Sequence, residues 1–356
     1  MRILVTGSAG FIGSHLALRL LDRAEPLMLV GIDNLNDYYD PSLKAYRLKT
    51  IEERALKHPE HKYEFIKGDI TDNALIDRLF REYRFDIVVN LAAQAGVRYS
   101  LKNPATFIQN NVFGFHTILE ACRTHKVTHL VHASSSSIYG NNDKVPFSVT
   151  DQIVEPLSPY AATKKSNEQS AQSYSDLYGL PITCLRFFSV YGPAGRPDMA
   201  YYSFTDRLLG GQSIQIYNYG NCERDFTYVD DVIDGILRVL HRPPVSTIGE
   251  DGLAIPPYRI YNLGSGQPVS ISDFVTILQE ELVSAGLLPS DYDFASHQKH
   301  MPMQPGDLIR TFADIKETQA DLGWSPSVPL REGLRRFIAW YKSYSFKTLP
   351  DPHPKN

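Results

Sequence analysis

Tyr160 and Lys164 stand four residues apart in Ser158-Pro-Tyr160-Ala-Ala-Thr-Lys164. On a helix that spacing puts a phenol and an ammonium on one face. An opposite charge within a few ångströms favours the ionised form of an acid whose ordinary pKa is about 10. Tyr160 is therefore a candidate general base, with Lys164 as the cation that supports it. The spacing alone is not specific, because surface helices meet it by chance; its weight comes from the company it keeps. Four hydroxyls, Ser134-Ser135-Ser136-Ser137, follow an apolar strand pattern at residues 129–133 and are closed by Ile138-Tyr139-Gly140. A serine run more often marks a linker, but this one is clamped between apolar residues.

Gly7-Ser-Ala-Gly10-Phe11-Ile12-Gly13 follows a short apolar strand pattern at residues 2–6 and opens a helix-period segment at residues 11–21. Gly7 permits a tight turn, Gly10 lets the backbone approach a pyrophosphate, and Gly13 lets the helix pack on the strand, with the phosphates at the helix N-terminus. A second strand pattern at residues 27–32 ends in Asp33. An acid there suits the ribose 2′-hydroxyl and repels a 2′-phosphate, so NAD rather than NADP is expected. Strand patterns at residues 63–67 and 87–90 end in Gly68-Asp69-Ile70-Thr71 and Leu91-Ala92-Ala93-Gln94. At the carboxyl ends of a doubly wound sheet, Asp69 and Ile70 would edge the adenine and the small Ala92 and Ala93 would let the cofactor lie close; elsewhere they are ordinary turn residues. Asn34, Leu91, Gln94, Asn110 in the helical stretch 104–123, and Ser134 complete the expected cofactor set.

These residues need a frame. The alternation of strand and helix patterns continues without a gap to residues 182–187, which predicts an α/β protein with a Rossmann-type doubly wound parallel sheet over residues 1–188. After Phe188 the pattern breaks into loop chemistry, Ser189-Val-Tyr-Gly-Pro-Ala-Gly-Arg196-Pro-Asp-Met, and shorter elements. We expect a smaller α/β substrate-binding lobe over residues 189–345, a return to the first domain over about 224–263, and a tail over 346–356 that is frayed from Asp351 on. A basic helix at 43–56 reads as mostly solvated, 213–217 as extended, 243–257 as a Pro- and Gly-rich surface insertion, and 202–210, 271–285 and 330–341 as helices.

At 356 residues the chain exceeds the usual size of one core. Its formal net charge is −4, with acids and bases interspersed, which offers neither a basic stripe for nucleic acid nor a polybasic membrane patch. A small-molecule partner is expected. Cys122, Cys184 and Cys222 lack disulfide or metal spacing, so no metal is expected and a reducing cytoplasm fits. Neither a leader pattern nor a membrane-length apolar run is present in the sequence.

The glycine fingerprint, Asp33, Asp69-Ile70, Leu91-Ala-Ala, the serine run and Tyr160-x-x-x-Lys164 together resemble the extended short-chain dehydrogenase/reductase superfamily, in its sugar-nucleotide epimerase/dehydratase branch. Four further stretches narrow the resemblance to UDP-glucuronate 4-epimerases: Asp33-Asn-Leu-Asn-Asp-Tyr-Tyr-Asp, Ala92-Ala-Gln-Ala-Gly-Val-Arg98-Tyr-Ser, Arg186-Phe-Phe-Ser-Val-Tyr-Gly-Pro with Gly-Arg196-Pro-Asp-Met, and Met303-Gln-Pro-Gly-Asp307. The resemblance implies that Tyr160 takes the sugar 4-hydroxyl proton, that NAD takes and returns the C4 hydride, and that the transient 4-keto sugar turns over between the two transfers. It implies that Lys164 lowers the tyrosine pKa and holds the nicotinamide ribose, that Ser135 bonds the 4-oxygen, and that Ser136 and Ser137 sit near the sugar. It further assigns Arg224 to the diphosphate, Asp307 to the uridine ribose, the strand with Ile216 and Tyr217 to the uracil, and Arg98 to the substrate side. Ser189 and Arg196 would face the sugar carboxylate, unless Arg196 only pairs with Asp198 or the other lobe. A homodimer is expected by the same resemblance.

Gln304 departs from the galactose-type epimerases, which carry arginine there, so the diphosphate must use other donors. Within the branch, 4,6-dehydratases place Asp-Glu where this chain has only serines, and UDP-glucuronate decarboxylases carry a glutamate that is absent here. A neutral-sugar 4-epimerase remains an alternative, as does a non-catalytic NAD-sensing protein on the same fold, although such proteins commonly lack the Tyr-Lys pair.

Overall fold

The computed structural model describes residues 1–153 and 155–348. The first half alternates strand and helix: β1 (Arg2–Thr6), α1 (Phe11–Leu21), β2 (Met28–Asp33), α2 (Pro41–Lys57), β3 (Lys62–Lys67), α3 (Asn73–Tyr83), β4 (Ile87–Asn90), α4 (Val97–Lys102), α5 (Pro104–Phe107), α6 (Gly114–Thr124), β5 (His129–Ser135), α7 (Pro159–Tyr178) and β6 (Ile182–Phe187). Every residue of β4, β5 and β6 is buried, as expected where helices cover both faces of a parallel sheet. The second half carries β7 (Ser189–Tyr191), α8 (Ala200–Leu209), β8 (Ile214–Tyr217), β9 (Glu223–Tyr228), α9 (Val229–Leu240), β10 (Thr247–Ile248), β11 (Ala254–Ile255), β12 (Tyr258–Leu263), β13 (Pro268–Ser270), α10 (Ile271–Ser284), β14 (Gln298–Met301), α11 (Lys316–Leu322) and α12 (Leu330–Thr348).

Seven parallel strands form one sheet in the order β12-β6-β5-β4-β1-β2-β3. The chain leaves β1 toward β2 and β3, then crosses back to β4 and proceeds the other way. A crevice therefore opens beyond the carboxyl ends of β1 and β4, the switch point where open α/β sheets bind ligands. β12 returns to pair with β6, whereas β9, at the start of the segment expected to return, does not. It joins a separate sheet in the order β13-β9-β7, and β8 pairs with β14. This second group of strands packs through stacked Phe226 and Phe274, 4.7 Å between ring centroids.

Five local expectations change or sharpen. Ser134 and Ser135 are the last residues of β5, paired with Arg186 and Phe187, and a 3₁₀ turn at Ser136–Tyr139 follows. The loop reading of Ser189-Val-Tyr fails because β9 supplies a strand partner from far along the chain. α2 is exposed or half-exposed along most of its length, but Lys44, 5% exposed, and Arg47, 1% exposed, turn inward. The 243–257 insertion contains an exposed hairpin, β10 and β11. α12 runs to Thr348, so the expected tail begins inside a helix, and residues 349–356 lie outside the described ones. Among the described residues no helix is long and apolar enough to cross a membrane.

Candidate active site

The crevice widens into a cavity of about 790 Å³ lined from both halves of the chain. Its first wall is the β1–α1 turn. Gly7 sits at φ +69°, and a Cβ there would lie 2.9 Å from the Ala92 backbone nitrogen; one on Gly13 would meet the Gly7 carbonyl at 2.2 Å. The turn's own backbone thus leaves no room for a side chain at Gly7 or Gly13, and Gly10, just before α1, gives its first amides no side-chain cap, which leaves them for an anion. Asp33 accepts from Leu35 N at 2.8 Å and from Lys44 Nζ at 3.4 Å, both through Oδ1. Oδ2 takes no protein partner among the described residues and is placed for a ribose hydroxyl. These features fit a bound NAD.

The remaining cofactor residues divide by what they offer. Phe11, Ile12, Asn34, Ile70, Leu91, Ala92, Ala93 and Asn110 line the cavity. Asp69 also lines it, but its carboxylate is engaged by Asn34 Nδ2, Thr71 N and Thr71 Oγ1. Burial pushes its acid up and these donors outweigh that, leaving it below the usual value. Gln94 is fixed through its backbone, which exchanges hydrogen bonds with the Asn111 amide. Ser134 donates its hydroxyl to Glu168 Oε1 at 2.5 Å, so it presents backbone rather than side chain to a ligand.

Ser158 caps α7 by accepting from Ala161 N, Pro159 starts it and Gly179 ends it in a left-handed conformation. This fixes Tyr160 and Lys164 on the cavity side. Burial pushes the Tyr160 phenol above its usual pKa, against the pull of a hydrogen bond with Ser135 and the charge of Arg196. Burial pushes the Lys164 ammonium down to about 8, and its Nζ donates to the Ala133 carbonyl at 2.7 Å. Arg196 is a cation that acts on Tyr160, while Lys164 anchors on β5 and keeps two of its three donors for other partners.

Arg196 gives Nε–H to Asp198 Oδ1 at 2.9 Å and Nη2–H to Oδ2 at 2.6 Å. Burial opposes its charge, but the Asp198 carboxylate outweighs burial and raises its pKa. A guanidinium has five N–H donors, so three remain, and Nη1 has no partner among the described residues. Pairing with Asp198 and reading a substrate carboxylate were alternatives in the sequence; the geometry permits both at once. Ser135, Ser136, Ser137 and Ser189 line the same space.

On the far side Arg98 donates to Asp307 at 2.8 Å, with its guanidinium carbon 3.9 Å from the Tyr217 ring centroid. Arg224 lines the cavity while bonding the Glu223 and Ile309 carbonyls. Ile216 does not line it: strand alternation turns Ile214 and Ile216 into the core and Gln215 and Tyr217 outward. Gln215 was therefore missed by one place, and parity along the strand could have found it. Tyr38, Lys44 and Asp198 were also missed as site residues, although Tyr38 and Asp198 stand in the quoted motifs.

The chain matches the family model described as GDP-mannose 4,6 dehydratase over residues 4–337. It is 43% identical to UDP-glucuronate 4-epimerase 4 of Arabidopsis thaliana over 96% of this chain and 75% of that protein. It is 40% identical to a probable UDP-glucuronate 4-epimerase of Rhizobium meliloti (strain 1021), over 96% and 97% of the two chains. Its structure is similar to that of the Bacillus cereus UDP-glucuronic acid 4-epimerase in complex with UDP-glucuronic acid and NAD, with TM-score 0.81, 32% identity, and 97% and 100% of the two chains covered. Fold, cavity and relatives agree, and the chain belongs to the UDP-glucuronate 4-epimerases within the GDP-mannose 4,6 dehydratase family.

Proposed function

We propose that this protein interconverts UDP-glucuronate and UDP-galacturonate by NAD-dependent epimerisation at C4. The observation that carries the reading is the convergence of Tyr160, Ser135 and Arg196 on one space beside the glycine turn. When bound, NAD accepts the C4 hydride and gives it back. Tyr160 Oη, in its phenolate form, takes the 4-hydroxyl proton and later returns it; the Ser135 hydrogen bond and the Arg196 charge favour that form against burial. Lys164 and Asp33 hold the two ribose halves of the cofactor, and the open edge of Arg196, with Ser189, meets the sugar carboxylate bidentately. A carboxylate entering a partly dry site must be paired in this way or its desolvation is uncompensated.

The missing arginine at Gln304 leaves Arg224 and Arg98 as the cations for the diphosphate and nucleoside side. The same reading divides the chain into an NAD-binding part, 1–188 with the returning β12, and a substrate lobe over the rest of the described chain. It also carries a homodimer and a cytoplasmic location supplying a polysaccharide precursor; three buried free cysteines suit a reducing compartment. The test is to incubate purified protein with UDP-glucuronate and separate the products. UDP-galacturonate without added cofactor turnover is expected; UDP-xylose as the main product, or stoichiometric NADH release, overturns the proposal.

A further inference from the structure

We infer that Asp198 and Tyr38 are positioning residues that tie the carboxylate-reading guanidinium of Arg196 to the loop holding the adenosine end of the cofactor. The inference rests on the reading of Arg196 given above. The loop after β2 starts with Asp33 and is ordered around it. Asn34 reaches Asp69, Lys44 reaches both Asp33 and Asn36, and Asn36 N is held by the Asn34 side chain. Tyr38 leaves that loop and crosses the cavity wall. Its hydroxyl donates to Asp198 Oδ2 at 3.2 Å, and its ring centroid lies 4.9 Å from that of Tyr99. The hydroxyl occupies the place that a Cβ on Gly96 would need, 2.5 Å away, so the path of this side chain is kept clear by a glycine. Burial, then the Asp198 charge, push the Tyr38 phenol up, which keeps it a donor.

A second tether runs parallel. Arg47, on α2, gives Nε and Nη2 to the Ala194 carbonyl at 2.9 and 2.7 Å, Nη2 to Gly195 O at 3.0 Å and Nη1 to Ala9 O at 3.0 Å. The two residues just before Arg196 are thus fastened to the glycine turn itself. Hung from two points of the cofactor half, the 194–198 segment has little freedom to carry Arg196 elsewhere.

This arrangement has a chemical consequence. Asp198 takes the side edge of the guanidinium and sets its plane, so the end edge faces the cavity in a fixed orientation. It also cancels the arginine charge, so the site recognises an anion by the geometry of a planar two-oxygen acceptor more than by net charge. Losing the plane costs catalysis through misalignment, whereas freeing the charge does not weaken attraction for an anion.

The experiment compares holoenzyme variants Asp198→Asn, Tyr38→Phe and Arg196→Ala on UDP-glucuronate and UDP-glucose, by kcat and KM where turnover is measurable and by calorimetric Kd for both. Asp198→Asn should lower kcat on UDP-glucuronate on the order of 10- to 100-fold while its KM and Kd fall or stay level. Tyr38→Phe, which keeps the ring against Tyr99, should lower kcat on the acidic sugar about fivefold. Both should reduce the preference for the acidic over the neutral sugar. Equal losses on both sugars, no loss on either, or a raised KM with unchanged kcat would each overturn the positioning role. If Arg196→Ala loses equally on both sugars, the reading of Arg196 itself fails; if it loses selectively and the other two variants do not, only the present inference fails.

Discussion

Two arginine–carboxylate pairs differ in what is left over. Beside β5, where Arg186 pairs in register with Ser134, Arg186 and Glu168 are 3% and 8% exposed at the side chain, with bonds at 3.0 and 2.8 Å. Arg186 Nη1 is also used, by Tyr139 Oη and the Val149 carbonyl, and Glu168 also accepts from Ser134. At the cavity, Arg196 and Asp198 are 24% and 31% exposed and make a similar bidentate contact, but Nη1 has no protein partner among the described residues. A buried cation that uses four of its five donors holds a structure together; one with three spare donors in a cavity is available to a ligand. Tyr139 continues the closed network to Asn262 on β12, which donates to the Phe147 and Asp314 carbonyls. The hidden pair thereby locks the strand that carries the serines, and the open pair faces what those serines face.

The largest effect tests whether the open side serves chemistry at all. Tyr160→Phe keeps the ring packed against Phe107, 6.0 Å between centroids, and removes the proton acceptor. Turnover should fall about 10²- to 10⁴-fold with nucleotide-sugar Kd almost unchanged; wild-type turnover would leave the open arginine with no reaction to serve. The closed pair should respond in stability instead. Glu168→Gln strips a buried guanidinium of its anion, at a cost of about 3–5 kcal/mol, read as a lowered denaturation midpoint. If Glu168→Gln melts like wild type, the contrast between closed and open cations is broken.

Arg196→Ala sharpens the contrast from the other side. A charge-assisted hydrogen bond contributes about 1.5–3 kcal/mol, so the preference for UDP-glucuronate over UDP-glucose should drop on the order of 10- to 100-fold, with a melting temperature near that of wild type. A carboxylate held away from alignment with the C4 ketone resists loss as carbon dioxide, so this variant should also leak UDP-xylose. Kinetics on both sugars with product identification checks both outcomes.

How legible each pair was follows from the physics of the two halves. β4 and β6 are buried along their whole length because helices cover both faces, and their bounds, Ile87–Asn90 and Ile182–Phe187, are those read from the sequence. The glycine turn and Tyr160 were legible because local spacing decides where they point. The substrate side was less so. β7 is three residues long and exists through a partner near residue 226, which no local pattern announces. Ile216 was misassigned by strand parity, and Lys44 and Arg47 looked like solvated charge because their partners, Asp33 and the Ala194 carbonyl, lie in other elements. Lys164 shows the same limit: spacing put it beside Tyr160, but only the fold shows its Nζ on the Ala133 carbonyl.

Lys164 supplies the smallest test, because it is a third cation, 3% exposed, with a carbonyl rather than a carboxylate as its hydrogen-bond partner. Burial lowers its pKa from 10.5 to about 8. Between those values the unfolded chain binds a proton that the folded chain has released, so stability contributed by this group must rise with pH. Below about pH 8 both states are charged and the group destabilises the fold by a constant amount; above about 10.5 both are neutral. Within the window the gain is about 1.4 kcal/mol per pH unit. The carboxylate-paired Arg186 and Arg196, with pKa values raised rather than lowered, add no such slope there. Denaturant midpoints of wild type and Lys164→Met across pH 8 to 10 isolate it, since other tyrosines and cysteines titrate equally in both proteins. Wild type should gain on Lys164→Met as pH rises; a constant gap would mean that the Ala133 carbonyl compensates the buried ammonium as fully as the carboxylates compensate the two arginines.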